Sequence, residues 1–123
     1  MPAHENLHAI HEALKTMLGT GGEFVQVEIP GTDHFVQFAN TDGRILLDLP
    51  LAALDGGELD RAEAYFARMS GVKRPWFDEI EGGETSYRKD FGEDSLEAAR
   101  CACEIFDEVY RSGPTAQVVV RSQ

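Results

Sequence analysis

Three times between residues 23 and 49 the chain runs through alternating apolar and polar positions, with a turn signal at each break. In residues 23–29, Val25, Val27 and Ile29 fall on one side and Phe24, Gln26 and Glu28 on the other, the two-residue period of a strand. Pro30-Gly31-Thr32-Asp33 turns the chain into a second run at 34–39, and Asn40-Thr41-Asp42-Gly43 leads into a third at 44–49. Connections this short return strands antiparallel beside one another. The third run groups Ile45, Leu47 and Leu49 against Arg44, Leu46 and Asp48, so the meander has one core face and one mixed face.

Helical periodicity flanks this unit. Leu7, Ile10, Leu14, Met17 and Leu18 recur at spacings of three and four over residues 6–18, one stripe of an amphipathic helix that Gly19 is expected to end. The tract Gly19-Thr20-Gly21-Gly22 lacks the Gly-Lys-Ser/Thr ending of a phosphate loop and leads into a strand pattern, so it reads as a stop and a turn. After Pro50, residues 51–54 fit either a helical turn or a loop. A second helix is expected over 58–70, with Leu59, Ala62, Phe66 and Met69 as its stripe and Gly71 just past its end.

Runs at 76–81 and 84–91 around Gly82-Gly83 predict a second hairpin. A third helix begins at a cap on Asp94 or Ser95, runs to about Arg111 and stops at Gly113-Pro114. Residues 116–120 are β-prone and fit an edge strand or pairing with another chain. With 123 residues and 13.6 kDa, one core suffices. The expectation is a single α+β domain over residues 1–123, in the order α-β-β-β-α-β-β-α, with helices packed on an antiparallel sheet.

The third helix is apolar over more than half its circumference. One arc holds Leu96, Ala99, Cys103, Phe106 and Tyr110, and its neighbour holds Ala98, Ala102, Ile105 and Val109. A helix lying on a sheet needs a narrower stripe. The surplus is met either by another helix of the same chain or by a homodimer seam at Ala98, Ala102, Ile105 and Val109.

Charge restricts the partners. The chain has 22 acids against 11 Lys plus Arg, a formal net of −11. Such a polyanion is repelled by nucleic acid and by anionic membrane surfaces, and no apolar run reaches membrane-spanning length. Most of the acidity lies in residues 78–108, with a net of −8. Arg61 and Arg68, with Lys73 and Arg74 just beyond, form a small basic counterpatch or an ordinary solvated face. The first residues carry no basic and apolar leader pattern, and Cys101 and Cys103 cannot staple a fold. A cytoplasmic location is the resulting expectation.

Little in the sequence selects a reaction. His4, His8 and His11 share one flank of the first helix, but there is no His-Glu-x-x-His arrangement, and the expectation is an exposed stripe without a resident metal or cofactor. Cys101 and Cys103 point nearly opposite ways on a helix, with Cys103 on the core side and Cys101 at its border. Asp78, Glu79, Glu81 and Glu84 cluster near a turn without the order of a calcium loop. No nucleophile elbow, Walker loop or dinucleotide fingerprint occurs. A regulator using the histidine stripe and an enzyme using the acids at 78–84 are the alternatives to a non-enzymatic binding domain with no catalytic residue.

The order of elements, the stretch Phe35-Val36-Gln37-Phe38-Ala39, the junction Met69-Ser70-Gly71-Val72-Lys73-Arg74-Pro75 and the third-helix ending Val109-Tyr110 resemble the type III secretion chaperone-like group. Within it the chain looks most like the TY-Chap and YbjN-like families of bacteria, from about residue 6 to 110. That resemblance implies a curved antiparallel sheet with helices packed on it, frequently dimeric, that holds an extended segment of a client protein. The groove residues would be the strand positions left over from the core face, Phe24, Phe35 and Leu46, with Trp76. The competing reading buries them under a helix of the same domain.

Overall fold

The computed structural model describes residues 2–75, 85–112 and 117–122, with side chains from residue 6 onward. Helix α1 (Pro2–Thr20) buries Ile10, Leu14 and Met17. It runs past Gly19, because the residue that leaves the helical conformation is Gly21, at φ +73°. The N–H of Gly22 then donates to the carbonyl of Met17 at 3.0 Å, closing a Schellman cap.

The meander forms as expected from β1 (Phe24–Glu28), β2 (Phe35–Thr41) and β3 (Arg44–Pro50). Between β2 and β3 the two turn residues Asp42 and Gly43 have φ of 54° and 81°, the left-handed pair whose twist matches that of the strands. Residues 51–54 resolve into a 3₁₀ turn, Leu51–Ala53, followed by Leu54 in extended conformation.

Helix α2 (Gly56–Ala67) starts earlier and stops earlier than the apolar stripe suggests. A reciprocal cap sets its start: the Asp55 carboxylate accepts from the Glu58 N–H at 2.8 Å, and the Glu58 carboxylate accepts from the Asp55 N–H at 2.9 Å.

Strand β5 (Ser86–Gly92) is the second arm of the expected hairpin. Its partner on the outer side is β4 (Val72–Lys73), a short strand inside the junction between the second helix and the expected hairpin. The expected first arm, with Trp76 and the Gly82-Gly83 turn, lies outside the described residues.

Helix α3 (Ser95–Glu104) is capped by Asp94, whose carboxylate accepts from the Glu97 N–H at 3.1 Å. It continues as a π-helical turn over Ile105–Val109, where the N–H of Tyr110 donates to the Ile105 carbonyl at 3.0 Å. The β-prone tail supplies β6 (Val119–Ser122), an edge strand paired with β1.

Among the described residues the result is an α+β fold with three helices and one antiparallel sheet of six strands, in the order β4-β5-β3-β2-β1-β6. Val25, Val27, Val36, Phe38, Leu47 and Leu49 point to one face and are wholly buried, on the side where α1 and α3 pack, while α2 meets the sheet through Phe66 stacked on Tyr87 of β5. The third helix lies between the other two, against α1 along its length and against α2 at the π-helical turn.

That placement corrects the dimer seam expected from the sequence. Ala98, Ala102, Ile105 and Val109 each have zero exposure within this single chain. The sheet and two helices of the same chain surround them, which accounts for the width of the apolar arc. Leu96, from the neighbouring arc, is 38% exposed instead.

Candidate functional site: the helix-free face of the sheet

Because strand side chains alternate, the residues not directed at the helices line the opposite face of the sheet. Strand register sorts them into rows. Phe24, Ala39 and Leu46 are successive partners across β1, β2 and β3. Two residues along each strand, a polar row crosses all six strands: Arg121, Gln26, Gln37, Asp48, Arg88 and Lys73. Beyond it lie Glu28 and Phe35, partners across β1 and β2, together with Pro50 at the end of β3.

Phe24, Phe35 and Leu46, the groove residues expected from the sequence, therefore share this face and are all half-buried. Trp76 is outside the described residues. Phe24, Gln26, Gln37, Ala39 and Asp48 enclose a shallow depression of about 220 Å³.

Three arginines of the face each lie beside a carboxylate. Arg44 Nε bonds Asp90 at 2.9 Å, Arg121 bonds Glu28, and Arg88 stands 3.8 Å from Asp48. The Arg44 guanidinium holds the Asp90 carboxyl below its usual range. Among the described residues, the other oxygen of Asp48 is buried without a hydrogen-bond partner.

A second cluster, not anticipated from the sequence, sits at the edge of the helical layer. His34, just before β2, places Nε2 2.9 Å from Oε2 of Glu58 and stacks on Tyr110 with ring centres 4.4 Å apart. Tyr110 donates its hydroxyl to the Phe35 carbonyl at 2.7 Å, and burial raises its pKa. Both Glu58 oxygens are in use, one in the α2 cap and one on His34, so the cluster fastens the β1–β2 loop to two helices. The capping sequence Asp55-x-x-Glu58 was a legible signal for Glu58; nothing local pointed to His34.

The remaining candidates fall as follows. Cys101 is buried and Cys103 half-buried, the reverse of their expected placement, because α2 packs on the Cys101 side of the helix, where the Tyr65 hydroxyl lies 3.4 Å from the sulfur. Burial pushes the Cys101 thiol up to about 12 and the Cys103 thiol up to about 11, so neither is a thiolate at neutral pH.

The three arginines of the basic counterpatch are engaged within the fold, while Lys73 is exposed. Arg61 donates to the Val109 carbonyl at 2.8 Å, Arg68 pairs with Glu108, and Arg74 lies 3.1 Å from Glu63. His8 is exposed and His11 half-buried, while the His4 side chain and the acids at 78, 79, 81 and 84 lie outside the description. Among the described residues, no group of three or more His, Cys, Asp or Glu is placed to hold a metal ion, and no helix is long and apolar enough to cross a membrane.

Comparisons with models of protein families, with curated proteins and with solved structures find no match.

Proposed function

We propose that this chain is a non-enzymatic, chaperone-like protein-binding domain that holds a segment of a client protein on the helix-free face of its sheet. The observation that carries the reading is the placement of Phe24, Ala39, Leu46 and Phe35: apolar, in adjacent strands, partly open to solvent and on the face that none of the three helices covers. An antiparallel sheet with one solvated face is ordinarily polar there. Apolar side chains gathered on such a face mark a surface for a partner. The net charge of −11 keeps the domain soluble and away from nucleic acid. The secretion chaperone-like resemblance points the same way, to an extended client.

The test is binding of a model polypeptide whose cysteines have been reduced and carboxamidomethylated so that it cannot fold, followed by fluorescence anisotropy. Wild type is expected to bind saturably, and the double variant Phe24→Asp, Leu46→Asp to bind at least ten-fold more weakly while melting at the wild-type temperature. Equal binding by a folded double variant would remove the function from this face. A homodimer, expected from the sequence, belongs to the same proposal only if light scattering shows one, since the seam assigned to it is internal to the chain.

A further inference from the structure

We draw no further inference here: the strongest candidate, the cleft between the β1–β2 loop and the 3₁₀ turn lined by Asp33, His34, Asp55 and Glu58, carries nothing, because it is a cluster of acidic side chains around a histidine already engaged by Glu58 and nothing else in the structure points to a ligand.

Discussion

His34 and Glu58 meet at 2.9 Å although one precedes a strand and the other lies in the first turn of a helix. Glu58 is only 6% exposed, yet both of its oxygens are used, by the Asp55 N–H and by His34. With Tyr110 stacked on the imidazole, the pair joins the β1–β2 loop, the start of α2 and the end of the third helix. A buried polar group with its partners in place is stable; one stripped of a partner is not.

Glu58→Ala removes the reciprocal cap and leaves His34 and the Asp55 N–H without an acceptor, so a loss of about 1–3 kcal/mol is expected. Urea unfolding followed by circular dichroism measures it. A wild-type midpoint for this variant would show that the clamp carries no stability.

Ala102→Glu places a carboxylate where the chain has no exposed surface at all. Loss of at least about 3 kcal/mol, or failure to fold, is expected from burying an unpaired charge. A dimer seam predicts otherwise: a stably folded monomer on size exclusion, which would restore the seam and overturn the packing described above.

The two thiols give a pH dependence with a definite sign. Burial raises their folded-state pKa, to about 12 for Cys101 and about 11 for Cys103, above the roughly 8.5 of an unfolded thiol. Their contribution to stability is therefore whole below that value and is lost as pH rises toward the folded-state values, since the unfolded chain gives up its protons first. Burial raises Tyr65, Tyr87 and Tyr110 in the same direction. The urea midpoint should hold steady from pH 7 to 8 and fall above it, less steeply in Cys101→Ala; a midpoint that climbs with pH contradicts this.

At pH 7.5, Cys101 should resist an aromatic disulfide reagent in the native protein and react at once in urea, with Cys103 intermediate. Prompt native reaction of Cys101, identified by mass spectrometry, would mean that α3 is not packed between α1 and α2.

Gly43→Ala isolates a backbone effect. Gly43 has φ +81°, and an added Cβ would meet nothing within 4 Å, so the cost is conformational and about 1–2 kcal/mol. Thermal melting tests it, and an unchanged melting temperature would mean that the β2–β3 turn readily adopts another form.

What the local pattern could tell was the class of each element. Alternation in residues 23–49 determined three strands, their core face and the mixed face with Phe24, Phe35 and Leu46, because side-chain direction in a strand depends only on position. The Asp-Gly turn and the cap at Asp94 were local chemistry and legible as such, whereas the cap at Asp55, which starts α2 two residues before the expected position, was not read. Ends set by competing signals were not: Gly19 and Gly21 are both plausible stops, and only the Schellman bond to Met17 chose the second.

The rest needed the third dimension. The width of the apolar arc on α3 showed that something must cover Ala98, Ala102, Ile105 and Val109, but a second chain and a second helix satisfy that need equally until the helices are placed. Strand order is equally non-local. It made Gln26 and Gln37 neighbours and brought β6 from the tail to the edge of β1. His34 met Glu58 for the same reason, through loop and helix positions that no spacing along the chain encodes. The sequence by itself determined which residues face in and which face out; the tertiary structure decided what they face, because contact between distant segments is a property of packing and not of period.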